Sequence, residues 1–213
     1  MKIYYKDKDI AVCEKPYGVS SQQSGGENMI ELLANELKCE VYPVHRLDTT
    51  TTGLMVFALN KTSAARLSDA VSKGELVKEY FAIAHGKLQP QGELIDLLYH
   101  DRIRNKSFVV KTERKGAKRA QLLYETLNTM SLDNKELSLV KIKLITGRTH
   151  QIRVQFANIG SPLYGDGKYG AKDNGRIHLH SASLSFAHPT KREVMSFTSV
   201  PEGELWSSIR VSE

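Results

Sequence analysis

Cysteine is scarce: Cys13 and Cys39 are the only two in 213 residues. That excludes a disulfide framework and a set of zinc thiolates, and it suits a reducing cytoplasm. Long apolar runs are missing as well. The longest, Gly53 to Leu59, is far too short for a membrane helix. The N-terminus, Met1-Lys2-Ile3-Tyr4-Tyr5-Lys6-Asp7, carries charges where a signal peptide needs its apolar core. No Gly-x-x-x-x-Gly-Lys-Ser/Thr loop and no Gly-x-Gly-x-x-Gly turn occurs, so nucleotide and dinucleotide cofactors have no support. A Gly-x-Ser-x-Gly elbow and a helical His-Glu-x-x-His pair are absent too. There is no internal repeat and no low-complexity tract. Neither a cofactor nor a metal is expected.

What is present is an ordinary globular composition, 40% hydrophobic and 25% charged. The length suggests one domain, or two lobes sharing a core, over residues 1–213, able to bury its apolar surface without cross-links. Thirty Lys and Arg stand against 24 Asp and Glu, a net charge of +6. A basic surplus points to nucleic acid, because phosphates attract Lys and Arg without any sequence readout. The plain alternative is a soluble protein that is simply basic.

Periodicity predicts strands at Ile10 to Cys13, Leu54 to Leu59, Glu79 to Ala84, Ala120 to Thr126, Glu136 to Ile145, Ile177 to Phe186 and Val194 to Thr198. Leu94 to Val110 reads as two short strands around a basic turn. Helices are predicted from an Asn28 cap through Leu37, from Ser63 through about Ser72, and from His150 to Asn158. Ser20 to Glu27 reads as a polar loop. Strands outnumber helices and follow one another directly. The fold class is therefore α+β, with a mostly antiparallel or mixed central sheet and flanking helices, rather than a doubly wound βαβ fold.

Several segments can carry chemistry. The densest basic stretch holds Arg102, Arg104, Lys106, Lys111, Arg114, Lys115, Lys118 and Arg119. On a strand pair, Arg102, Arg104 and Lys106 would share a face and form a stripe able to track a phosphate backbone; a solvated hairpin would look the same. His45-Arg46-Leu47-Asp48 places a carboxylate beside a turn, where an Asp is most often a turn former or a helix cap. Gly147-Arg148-Thr149-His150-Gln151-Ile152-Arg153 puts His150 and Arg153 on neighbouring helical positions, and Arg153 can pair with a carboxylate from elsewhere or with a surface partner. His178 and His180 alternate on one strand, yet no acidic or thiolate ligands stand at metal-binding spacing.

Taken together, these segments resemble the RluA family of RNA pseudouridine synthases nearly end to end. Asp9-Ile10-Ala11-Val12-Cys13-Glu14-Lys15-Pro16-Tyr17-Gly18 is similar to the family's lead-in strand and its Lys-Pro-x-Gly. His45-Arg46-Leu47-Asp48, continued by Thr52-Gly53-Leu54, is similar to the signature around its catalytic aspartate. Lys78-Glu79-Tyr80 resembles its Lys-x-Tyr strand. Thr146 to Arg153, followed by Gly160-x-Pro162-x-x-Gly165-Asp166-x-x-Tyr169, resembles its third block. Two positions depart from the pattern: Thr52 stands before Gly53 where the family usually has Ser, and Gln155 stands where it often has His.

The resemblance implies an enzyme that converts uridine in ribosomal or transfer RNA to pseudouridine, without cofactor or metal. The uridine is flipped out of its stack, at a cost of roughly a few kcal/mol. Asp48 is implied as the catalytic anion at C1′, and Arg153 as the cation that keeps it charged in a pocket stripped of water. Tyr80 would stack on the base and take the C5 proton. Ile152 would wall the pocket, Arg46 would fill the gap left by the flipped base, and His45 would contact substrate. These residues come from distant segments, which implies an active-site cleft between two lobes of one sheet. The catalytic domain begins almost at Met1, so no separate N-terminal RNA-binding domain is expected. Affinity would then rest on Arg102, Arg104 and Lys106. A cytoplasmic monomer with no membrane contact follows. The rival readings are a non-catalytic RNA-binding module using the same basic surface, and a metal-dependent hydrolase built on His45, His150, His178 and His180.

Overall fold

Short runs of β-branched and aromatic residues, punctuated by Asx turns, organise this chain. A computed structural model describes residues 1–23 and 26–207. The first strands are β1 (Ile3–Lys6) and β2 (Ile10–Lys15). Asp7 turns the chain between them, its Oδ1 accepting the N–H groups of Asp9 (2.8 Å) and Ile10 (3.0 Å). Of the polar loop read over 20–27, residues 24 and 25 lie outside the described residues.

Helix α1 (Met29–Leu37) begins where predicted, the Asn28 side chain accepting from Glu31 N at 3.0 Å. After β3 (Tyr42–Pro43) and β4 (Thr52–Ala58) comes α2 (Lys61–Lys73). It is capped by Asn60 rather than started by Ser63: the Asn60 side chain accepts from Ser63 N at 2.9 Å. Such a cap stabilises its helix by about 1 kcal/mol. The chain continues through β5 (Val77–His85), β6 (Gln91–Asp101), β7 (Lys106–Val110), β8 (Ala117–Leu132) and β9 (Lys135–Leu144). It closes with α3 (Gln151–Asn158), β10 (Leu179–Ala187) and β11 (Val194–Thr198). No helix among the described residues is long and apolar enough to cross a membrane.

The polar stretch from Asn128 to Lys135, which the sequence sets between two predicted strands, is itself strand on both sides of a tight turn. It extends β8 past a bulge at Thr126/Asn128 and turns into β9 through Asp133 and Asn134, both left-handed at φ 49° and 59°. Asn and Asp tolerate that conformation, and a turn of this hand matches the twist of a hairpin.

The chain divides into two compact units, Met1–Glu79 with His180–Gly203, and Tyr80–Leu179 with the segment from Glu204. In the first, strand order is β1-β2-β4-β10, with β3 on β4 and β11 on β10. Its pairings are antiparallel except β4–β10, which is parallel with His180 opposite Thr52 and Ser181 opposite Gly53. Ile10, Val12, Leu54, Val56, Leu67, Leu184 and Phe186 form its core. Each such side chain contributes about 1.5–3 kcal/mol on burial. In the second unit the order is β5-β9-β8-β6-β7, and the registers of β6–β7, β6–β8 and β8–β9 are antiparallel. Ile83, Leu137, Leu139 and Trp206 form one core cluster there, and Leu98, Ala120, Val154 and Tyr169 another. The expected α+β class with a mixed, mostly antiparallel sheet is what the chain adopts.

Candidate active site

The turn that carries Asp48 enters β4, the most thoroughly buried strand of the first unit. Asp48 opens a tight turn, with Thr51 N donating to Asp48 O at 2.9 Å. Its approach is pinned from the end of β2. Gly18 N and Lys15 Nζ both donate to Thr49 O, at 2.9 and 3.2 Å, and Ser21 Oγ donates to Leu47 O at 2.8 Å. Lys15 is fully buried, and its ammonium also donates to the Pro16 and Val19 carbonyls, each at 2.8 Å. Burial lowers its pKa to about 8, and the Asp48 carboxylate pulls the other way. Lysine is seldom buried without such partners. A buried cation thus lies within electrostatic reach of Asp48.

Arg46 is exposed on the same segment, whereas His45 is buried. The His45 Nε2 accepts from Val56 N at 3.1 Å, which fixes the ring on β4. Burial, reinforced by the Lys78 charge, lowers its pKa to about 3, so the ring is neutral at physiological pH.

The second unit holds the other predicted residues. Tyr80 is buried on β5, and Ile152 and Arg153 are buried on α3. Arg153 is not a surface arginine in a helical pair. Its guanidinium meets Asp166 through two hydrogen bonds, Nε to Oδ2 and Nη2 to Oδ1, both 2.7 Å. This side-on geometry is the strongest form of the pair. The Tyr169 ring adds a second support, with the Arg153 guanidinium 5.1 Å and the Lys106 ammonium 5.2 Å from its centroid. The Tyr169 hydroxyl accepts from Ser107 N at 2.8 Å and meets His150 Nδ1 at 2.9 Å. At the start of α3, His150 is left-handed at φ 54° and Gln151 holds the preceding turn, its Oε1 accepting from Arg148 N at 3.0 Å. Gln155, the departure from the family pattern, is buried and donates to Asp96 Oδ2 at 2.7 Å.

One expectation is corrected. Arg102 and Arg104 do not alternate with Lys106 along a strand. The Asp101 Oδ1 accepts from both Ile103 N and Arg104 N at 3.0 Å, and this Asx turn ends β6 before Arg102. Asn105 completes the turn at φ 44°, and β7 begins at Lys106. Arg102, Ile103 and Arg104 therefore form an exposed hairpin tip, with Ile103 99% exposed.

The histidines considered for a metal already have other partners. His180 uses both ring nitrogens, on Thr52 and Ser199 hydroxyls, and His178 Nδ1 meets Arg176 O. A different group, Asp7, Asp9 and His188, brings its donor atoms within 4.8 Å of one another. Those atoms are engaged: Asp7 holds two backbone N–H groups and His188 Nε2, and Asp9 holds the Asn60 and Thr190 side chains. Burial works to raise the Asp7 pKa, but its hydrogen bonds outweigh it and hold the value at about 2. This donor set reads as a fastener for the β1–β2 turn.

Sequence reasoning gave no role to Lys15, Asp166 or Tyr169, although each lies in a quoted motif. Their motifs were the only signal available; the contacts themselves span distances in sequence that no periodicity reports.

One unit thus holds a buried Arg–carboxylate pair beside an aromatic hydroxyl, and the other a pinned aspartate turn. The comparisons with known proteins agree with the family resemblance of the sequence. A family model described as RNA pseudouridylate synthase matches residues 9–158. An uncharacterized RNA pseudouridine synthase of Aquifex aeolicus is 34% identical over 98% of this chain and 72% of its own length. A tRNA pseudouridine synthase C of Vibrio vulnificus is 30% identical over 92% of this chain and 89% of its own. Among solved structures, human RNA pseudouridylate synthase domain containing 1 superposes with a TM-score of 0.81 at 23% identity, over 94% of this chain and 83% of that one. The chain belongs to the RNA pseudouridine synthase family and is an isomerase of that class.

Proposed function

We propose that this enzyme isomerises specific uridines in structured ribosomal or transfer RNA, with Asp48 as the catalytic anion. The reaction breaks the bond from C1′ to N1 of uracil, turns the base, and joins C1′ to C5; the proton lost from C5 returns to N1. Asp48 stabilises or attacks the electron-poor centre as the first bond breaks. Arg153 is the cation assigned to this carboxylate, and Asp166 holds its guanidinium through Nε and Nη2. Tyr80 stacks on the flipped base and accepts the C5 proton through its hydroxyl. Ile152 forms an apolar wall, Arg46 occupies the gap in the RNA, and His45, neutral and tied to Val56 N on β4, serves substrate binding by supporting the Arg46 segment. Arg102, Arg104 and Lys106 contribute phosphate contacts.

The observation that carries this reading is the anchoring of the Asp48 turn: a buried ammonium and two further donors hold its carbonyls while Asp48 heads the turn. A carboxylate that merely shaped a turn would need no buried cation near it. The tRNA pseudouridine synthase C relatives support a transfer RNA substrate as one candidate. The test is pseudouridine mapping on total RNA with and without the gene, followed by turnover on the sites found. Asp48→Asn should abolish turnover while RNA binding and folding persist; full turnover by that variant would remove Asp48 from the mechanism. Tyr80→Phe should bind RNA and stall before product forms. Intact RNA binding with no pseudouridine formed by the wild-type protein on any RNA would favour the binding-module reading.

A further inference from the structure

Behind the Asp48 turn, four side chains of the first unit form a continuous hydrogen-bonded chain. Thr52 Oγ1 meets His180 Nδ1 at 2.8 Å, and His180 Nε2 meets Ser199 Oγ at 3.1 Å. Ser199 Oγ donates to Glu14 Oε2 at 3.0 Å, where Tyr4 OH also donates at 2.9 Å. His180 and Ser199 are buried.

The chemistry of these groups fixes the direction of the chain. A carboxylate only accepts, so the Ser199 proton is spent on Glu14. Ser199 must then accept from His180, which places the ring proton on Nε2. A neutral imidazole protonated at Nε2 has a bare Nδ1. The Thr52 hydroxyl is therefore the donor at the other end. Burial keeps the ring neutral, holding its pKa down at about 4.

Thr52 is the residue where the Asp48 turn becomes strand. The entry of that turn is held through the Leu47 and Thr49 carbonyls. Its exit is held through the Thr52 side chain, and a β-branched residue has little freedom left at χ1 once its hydroxyl is tied. The parallel register of β4 and β10 sets His180 directly opposite Thr52, and Ser181 Oγ secures the next step by donating to Leu54 O at 3.0 Å. Thr51 N bonds to Asp48 O, so Thr52 is the residue that follows the closing hydrogen bond of the Asp48 turn.

We propose that Thr52, His180, Ser199 and Glu14 form a one-way hydrogen-bond chain that positions the Asp48 turn for isomerisation, with His180 held as the Nε2–H tautomer. His180 is thus a positioning residue; this rests on the catalytic reading of Asp48 given above. The Thr at 52 keeps the hydroxyl that a Ser would supply and adds the stiffness of a β-branched side chain.

Two measurements test it. Long-range proton–nitrogen correlation on the whole protein should find the His180 proton on Nε2; a proton on Nδ1 overturns the chain's direction. Single-turnover rates and dissociation constants should then be measured on unmodified transfer and ribosomal RNA transcripts. Thr52→Val, which keeps the shape and loses the donor, should slow the bound complex by roughly ten- to a hundredfold with RNA affinity unchanged, since small misplacements of catalytic groups cost that much. Thr52→Ser should restore the rate. Ser199→Ala should repeat the loss and Ser199→Thr the recovery, so that a folding defect in one variant does not decide the matter. Wild-type rates for both Thr52→Val and Ser199→Ala, beside an inactive Asp48→Asn, overturn the positioning chain and leave the catalytic reading standing. An active Asp48→Asn overturns both.

Discussion

Asp166 closes on Arg153 with both carboxylate oxygens, each 2.7 Å from a guanidinium nitrogen, and neither side chain is more than 7% exposed. Breaking such a pair from one side leaves the other charge buried without its match. Asp166→Ala should therefore destabilise the protein by about 3–5 kcal/mol in urea titrations, and Asp166→Asn, which keeps the shape and one acceptor, by less. A loss below about 1 kcal/mol for the Ala variant would place this pair among solvent-replaceable ones.

Lys15 links stability to alkaline pH. Its pKa falls from 10.5 to about 8 on folding, through burial, with Asp48 opposing. Between those values the unfolded chain binds a proton that the folded chain has released, so this group makes stability rise with pH across that window. Below it the cost of the buried charge is present in full. The stability difference between wild type and Lys15→Met should accordingly grow in favour of wild type from pH 8 to 10.5. A difference that stays flat would mean that Lys15 does not titrate there.

His45 and His180 act at the acid end. Burial lowers their pKa values from 6.5 to about 3 and about 4, with Lys78 adding to the effect at His45 and Glu14 opposing it at His180. The unfolded chain takes up protons below pH 6.5 that these folded rings refuse, so their contribution is complete above that value and is lost as pH falls towards 4 and then 3. The ring signals of both histidines should stay still in NMR titrations from roughly pH 8 to 5, where an exposed histidine moves. A midpoint near neutrality for either ring would contradict its burial.

The hairpin tip separates two kinds of basic residue. Arg102 and Arg104 project from an exposed turn, whereas Lys106 leans on the Tyr169 ring that also receives Arg153. Replacing both arginines with Gln should weaken RNA binding and reduce the slope of log affinity against log salt by about 1.4–1.8, at roughly 0.7–0.9 per phosphate contact. Lys106→Gln should reduce the rate on bound RNA as well. An unchanged salt slope in the arginine variant would move the RNA track to another surface.

Much of this was legible in advance, for identifiable reasons. Asn28 announces α1 because a cap and an apolar face coincide there, and the short apolar runs of β2, β4 and β10 are too brief and too branched for helices. The outer part of β8 was not legible. Residues 128–132 are mostly exposed, and their one apolar alternation, Met130 and Leu132 around Ser131, is too short to announce a strand; the bulge and the Asp133-Asn134 turn carry it on as a ribbon. Arg102 and Arg104 do not share a strand face with Lys106 because the Asx turn that Asp101 makes with its own neighbours interrupts the alternation. Asp48, Tyr80 and Arg153 stand in motifs visible in the sequence, and the roles given to them are those proposed above. Lys15 was not legible, because nothing local distinguishes a buried lysine from the exposed majority; its burial depends on carbonyls that only the folded loop brings round it.

Gly53 carries a consequence for how this enzyme can change. It sits at φ 109°, and a Cβ there would overlap the backbone of Ser181 on β10. Every single-base change in a glycine codon is silent, a stop, or a residue with a Cβ. Mutation therefore has no small step available at this position. The seam of β4 against β10 is locked by the genetic code as much as by packing.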